Sequence, residues 1–181
     1  MVKKIVPSTD KKLRQISKPV GSVDKKIKTI ITDLKDTLKA QKEPAGVGLA
    51  APQIGKNIRM FWVDFEGFSR LVINPQIIKV EKTKTKKKTI KAHDHEHEIL
   101  EGCLSLPSYY GPLKRANRVT LKYLSEKGED MIEIFEDFHA QIILHEVDHL
   151  DGILFVDKLI EQKKKLYRID KNEEWEEVTI V

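Results

Sequence analysis

The stretch FHAQIILHEVDHLDG, residues 138–152, carries apolar side chains on nearly every side of a helical projection: Phe138, Ala140, Ile142, Ile143, Leu144, Val147 and Leu150. A helix lying on a protein surface keeps a polar face, so this pattern predicts a helix buried in the core and stopped at Gly152. Inside it stands H-E-x-x-H, formed by His145, Glu146 and His149. On a helix, residues i and i+4 share a face with their Cβ atoms about 5–6 Å apart, so two imidazoles can grip one divalent ion. The glutamate then stands beside the metal-bound water as general base. A catalytic site of this kind takes three protein ligands and leaves a fourth position open. Phe138 and Ile142 precede His145 on the same face, which predicts that they line whatever space opens there. His139 lies about 240° round the helix from His145 and points away.

The chain on either side of this helix reads mostly as strands. VDKKIKTIITDLKDTLKAQ (23–41) spaces Ile27, Ile30, Ile31, Leu34 and Leu38 as a helix does, with Asp24 as its start signal. GVGLAAPQIG (46–55) reads as a small-residue loop, and IRMFWVDF (58–65) as a strand. SRLVINPQIIKV (69–80) reads as another strand with a break at Asn74-Pro75. RVTLKYLSEKGEDMIEIF (118–135) reads as a strand pair turning at Lys127-Gly128. A short helix near 157–169 and a strand-like WEEVTIV close the sequence. The expected class is α+β, antiparallel strands packed around one buried central helix that carries the metal-binding motif. No repeat or linker divides the chain, so residues 1–181 are expected to form a single catalytic domain.

Forty percent hydrophobic and 34% charged residues over 181 positions describe an ordinary globular chain, large enough to build a core without disulfides. No apolar run approaches the ~20 residues that span a membrane, and MVKKIVPSTDKKLRQ lacks the features of a signal peptide. The single cysteine, Cys103, suits a reducing cytosol, and the expected location is cytoplasmic. The net charge of +5 permits association with polyanions. The lysines concentrate in KVEKTKTKKKTIK (79–91), which reads as the tip of a basic, insertion-like hairpin over about 79–98. It lacks the aromatic interleaving of single-strand nucleic-acid binders. A basic ribosome- or RNA-binding protein that used this lysine cluster, with its metal incidental, nevertheless stands as one competing function.

The third ligand is open on these grounds. His93, His95 and His97 alternate with acidic residues and share one strand face; they suit an exposed polar face better than a core site. Cys103, within EGCLSLP (101–107), is either a small buried hydrophobe or a ligand. A metalloprotease using the same H-E-x-x-H would take a third histidine or glutamate from further downstream, where no histidine follows His149 and Glu161 remains a formal candidate.

GVGLAAPQIG, EGCLSLP and HEVDHLDG occur together and in order, and they resemble the three signature motifs of the peptide deformylases. TDKKLRQISKPV (9–20) and VINP (72–75) also resemble that family, so the likeness covers roughly residues 5–160. It implies a hydrolase that removes the formyl group from the initiator N-formylmethionine of new polypeptides and releases formate. It implies Cys103, His145 and His149 as ligands of Fe(II), with zinc, nickel or cobalt as substitutes. Glu146 then moves the water's proton to the departing amine, while Gln53 and the backbone N–H of Leu104 stabilise the oxyanion. Gly48 meets the peptide main chain, and Val47, Phe138 and Ile142 are candidates for the methionine pocket.

Two departures from the family pattern stand out. Leu144 precedes His145 where a glutamine is common, and Ser108, Tyr109 and Tyr110 occupy the stretch where many members carry a basic residue that holds the peptide backbone. Arg115 is basic but lies further on. The expected partners are N-formylmethionyl peptides and, transiently, the ribosome, through the basic insertion. The expected state is a monomer.

Overall fold

Two antiparallel sheets and three helices build the computed structural model, which describes residues 1–82 and 100–180. The class is α+β, as expected. The larger sheet comprises β1 (Gly48–Ala50), β2 (Met60–Phe65), β3 (Phe68–Glu81), β6 (Arg118–Leu124) and β7 (Asp130–Glu136), in the order β1-β2-β3-β6-β7. The smaller comprises β4 (Glu101–Cys103), β5 (Leu106–Gly111), β8 (Leu166–Ile169) and β9 (Trp175–Val178), in that order. The helices are α1 (Lys25–Ala40), α2 (Asp137–Leu150) and α3 (Phe155–Glu161).

The period-2 alternation of β2 explains how the larger sheet is covered. Phe61 and Val63 face one side and pack with Ile143, Val147 and Leu150 of α2. Met60 and Trp62 face the other side and pack with Ile30, Ile31, Leu34 and Leu38 of α1. A strand buried on both faces reads as the near-continuous apolar run MFWVDF. α1 starts where Asp24 predicts, its carboxylate accepting from the Ile27 N–H at 2.9 Å. In α2 eight of fourteen residues are buried and only Asp137 is exposed. Truncating a fully buried residue such as Leu150 to alanine would cost about 2–5 kcal/mol.

Three local readings need correction. GVGLAAPQIG is not a loop throughout: Gly48–Ala50 is the edge strand β1, paired with Phe61–Val63, and Ala51–Ile54 is a 3-10 turn. Small residues hid a strand of only three positions. The Asn74-Pro75 break does not end β3; a bulge between Ile73 and Gln76 absorbs it, with Asn74 at φ 51°. Asn74 holds that geometry through its side chain, which accepts from Val20 N and donates to Val20 O, both at 2.8 Å. The terminal helix stops at Glu161, because Leu166–Ile169 pairs as β8 with Trp175–Val178. The hairpin at Lys127-Gly128 forms as predicted, with Leu124 opposite Asp130. Of the predicted basic hairpin over 79–98, residues up to Glu81 belong to β3; 83–99, including His93, His95 and His97, lie outside the described residues.

The N-terminal segment ties the parts together. The N–H of Val6 donates to Gln53 O at 2.8 Å, that of Ser8 to Ser105 O at 2.7 Å, and that of Ser17 to Leu150 O at 2.8 Å. One strap thus fixes the 3-10 turn, the β4–β5 connection and the C-terminal end of α2 relative to one another. Those are the three segments that carry the sequence motifs.

Candidate active site

His145 and His149 leave α2 one turn apart, with ring centroids 4.8 Å apart and the planes at 84°. Cys103 approaches from the end of β4, where the register shifts between Gly102 and Cys103 and the chain turns back through Leu104 and Ser105. Its Sγ lies 3.2 Å from His149 Nε2. One donor atom from each of Cys103, His145 and His149 falls within 4.8 Å of the others. Burial by itself would raise the Cys103 thiol, but the imidazoles of His149 and His145 bring it well below its ordinary value, toward the thiolate that a metal needs. A soft sulfur with two imidazoles is a fitting donor set for a first-row divalent ion. Glu161 stays outside this cluster, exposed on α3 and paired with Lys158 at 3.1 Å. His139 points away as predicted, its ring edge-on to Phe68 at 4.6 Å.

Behind His145 lies a charged network that the sequence reading missed. His145 Nδ1 donates to Glu101 Oε1 at 2.7 Å, which leaves Nε2 for the cluster. Arg115 grips the same carboxylate with both prongs, Nε to Oε2 at 2.6 Å and Nη2 to Oε1 at 2.7 Å, and reaches Asp148 through Nη1 at 2.8 Å. Burial would raise the Glu101 carboxyl, yet Arg115 and His145 hold it down to about 2. Arg115 is therefore committed to the interior, only 9% exposed, and is not offered to a ligand. Its spacing in sequence carried no signal, since the contact joins a loop residue to a strand and a helix.

Glu146 is 3% exposed, and its Oε2 has no hydrogen-bond partner among the described residues. Burial pushes its carboxyl up to about 7, against the opposing pull of the two imidazoles, the range in which a group both takes and gives a proton. Its other oxygen packs against Gly48, where any Cβ would collide with the carboxylate. The absence of a side chain at Gly48 thus serves Glu146 directly, a reason the sequence reading did not give. Gln53 is 1% exposed and held by its own turn. Its Oε1 accepts from Ala50 N at 2.8 Å, which aims Nε2 at Ser105 Oγ (3.2 Å) and Cys103 Sγ (3.6 Å).

These groups border one cavity of about 220 Å3. Val47, Gly48, Gln53, Cys103, Leu104, Phe138, Ile142, His145 and Glu146 all line it, while His149 stands behind Cys103. Of the site residues expected from the sequence, all but His149 line this cavity, and His149 reaches it only through its contact with Cys103. No lysine or arginine lines it among the described residues; Ser108 and Tyr110 stand on the wall instead.

Comparison with known proteins shows the family and the fold. The family described as polypeptide deformylase matches residues 2–165. The peptide deformylase of Pseudothermotoga lettingae is 42% identical over 158 residues, 87% of this chain and 82% of that protein. The crystal structure of a peptide deformylase from Legionella pneumophila superposes with a TM-score of 0.75 at 36% identity, covering 88% of this chain and 86% of that one. A class I type b enzyme from Acinetobacter baumannii, solved with Met-Ala-Ser bound, gives 0.72 at 29% identity, over 87% and 98% of the two chains. The chain belongs to the peptide deformylase family, metal-dependent enzymes that hydrolyse the N-formyl group from nascent polypeptides.

Proposed function

We propose that this cavity is where the formylated methionine of a new polypeptide is hydrolysed, with Cys103, His145 and His149 as metal ligands and Glu146 as the proton carrier. The observation that carries the reading is the convergence of a thiol and two imidazoles on one point, beside a buried carboxylate oxygen without a partner. The native ion is Fe(II), with zinc, nickel or cobalt able to replace it, a reading supported by the mixed sulfur and imidazole donors. Such an ion supplies Lewis acidity and a water acidic enough to react near neutral pH.

The chain's own groups do the rest. Glu146 Oε2 accepts the water's proton and returns it to the amine as the C–N bond breaks, leaving formate and a free N-terminus. Gln53 Nε2 and the Leu104 N–H donate to the carbonyl oxygen as it becomes an oxyanion, a task favoured by a donor already fixed in place. Val47, Phe138 and Ile142 receive the methionine side chain. β1 and β4 are edge strands of their sheets, so an extended peptide between them has backbone partners on both sides, Gly48 among them.

Residues 1–181 act as one catalytic domain, a reading supported by cavity walls drawn from both sheets and from α2. α2 is the central helix of the fold, supported by its burial and its contacts with β1, β2, β6 and β7. No helix among the described residues is long and apolar enough to cross a membrane. We place the enzyme in the cytoplasm as a monomer, meeting the ribosome transiently through its excess of basic charge, +5 overall. The experiment is formate release from formyl-Met-Ala-Ser by metal-loaded protein. Turnover that requires metal is expected, and its absence with metal bound would defeat the assignment.

A further inference from the structure

The reaction as derived uses neither Tyr110 nor the C-terminal hairpin of β8 and β9, yet the hairpin packs against Tyr110, which lines the cavity. Tyr110 lines it from β5. Gly102 pairs with Tyr110 across β4 and β5, and the ring lies over the glycine so closely that a Cβ there would sit 2.7 Å from Cδ1 and Cε1. Gly102 directly precedes Cys103. Tyr110 pairs in turn with Tyr167, and Tyr167 with Glu177. Trp175, two residues from Glu177, projects from the same face of the sheet. Its ring meets that of Tyr110 edge-on, with centroids 5.6 Å apart and planes at 63°. Trp175 remains 42% exposed and does not itself line the cavity; it backs the ring that does.

We infer that Tyr110, backed by Trp175, is a specificity wall for the residues that follow the formylated methionine, and that it favours aromatic or large apolar side chains there. The inference rests on the proposed hydrolytic site. With the formyl carbon beside Cys103 and the methionine side chain against Phe138 and Ile142, the peptide advances about 3.3 Å per residue. Its next one or two residues then come within reach of a ring that is one position from Cys103. They meet the Tyr110 ring, and no cationic side chain lines the cavity among the described residues. Edge-to-face contact of a peptide aromatic with this wall corresponds to about a two- to tenfold preference.

The test compares kcat/KM, by formate release, for formyl-Met-Phe-Phe and formyl-Met-Gly-Gly with nickel-loaded enzyme. The unmodified protein is expected to prefer the aromatic peptide about two- to tenfold. Tyr110→Ala should bring that ratio toward one, Tyr110→Phe should keep it, and Trp175→Ala should lower it. The last variant touches a half-exposed residue and guards against misfolding of the first. A ratio near one in the unmodified enzyme, or variants that slow both peptides equally, would overturn the wall. Failure to release formate from either peptide would instead overturn the hydrolytic site, and the wall with it.

Discussion

His145 Nδ1 and Glu101 Oε1 lie 2.7 Å apart, and Arg115 donates to both oxygens of the same carboxylate. The imidazole is thereby fixed in one tautomer and one rotation, with its second nitrogen left for the cluster with Cys103 and His149. Glu101→Gln should weaken metal affinity about 10–100-fold, read by competition with a chelator of known affinity. Arg115→Met should act in the same direction and also lower thermal stability, because it leaves a buried carboxylate without its cation. Unchanged metal affinity in both variants would mean that α2 alone orients His145.

Glu146→Gln should keep stoichiometric metal and lose about 10²–10⁴ in turnover. The carboxamide has nearly the same shape but cannot take up a proton, and it stays against Gly48 as the carboxylate does. Retention of more than about a tenth of the activity would remove Glu146 from the proton path.

Gln53→Leu should lower kcat by about 10²–10³ with little change in KM. The glutamine is already held by Ala50 N, so it reorganises little as charge develops on the substrate oxygen. A change confined to KM would make it a ground-state contact.

What the sequence reveals of this site divides by range. The i,i+4 relation of His145 and His149 is local, and the apolar surround of α2 is visible as composition, so both can be read directly. Cys103 is far from them along the chain, and only the ordered likeness of three motifs joined it to them. The Glu101–Arg115–Asp148 network is likewise long-range and has no spacing to betray it. The same limit explains the misread elements. Three-residue β1 and the bulge at Asn74 exist because neighbouring strands pair there, not because of local propensity.

Glu133 offers a test of surface electrostatics away from the chemistry. Arg70 Nη2 donates to it at 3.0 Å and the Tyr123 hydroxyl at 2.6 Å. Burial would raise this carboxyl, but Arg70 and Tyr123 bring it below its ordinary value of 4.5. The folded carboxyl is then harder to protonate than the unfolded one. Its contribution is complete above about pH 4.5 and is lost as pH falls through the lower folded value. Glu133→Gln should cost about 1 kcal/mol at pH 7, a fall in Tm of about 2–4 °C. That gap should close in acid, and a gap independent of pH would assign the loss to packing.

Cys103 decides both the identity of the site and its weakness. Removing its sulfur takes one of three donors, so Cys103→Ala should abolish stoichiometric metal by elemental analysis. A metalloprotease with a downstream third ligand would keep its ion. The thiolate that suits Fe(II) is also oxidisable, through sulfenic to sulfinic and sulfonic acid. Iron-loaded protein exposed to air should therefore lose activity progressively, with oxygen added at Cys103 in mass spectra, or iron(III) formed, or both. Nickel- or cobalt-loaded protein should remain active under the same exposure, since the donors accept several first-row ions. The zinc form should hold its metal and turn over more slowly, as expected of this family. An iron form stable in air for days, together with zinc as the best metal, would make this a zinc hydrolase. It would leave the fold and the three ligands standing but overturn the choice of iron.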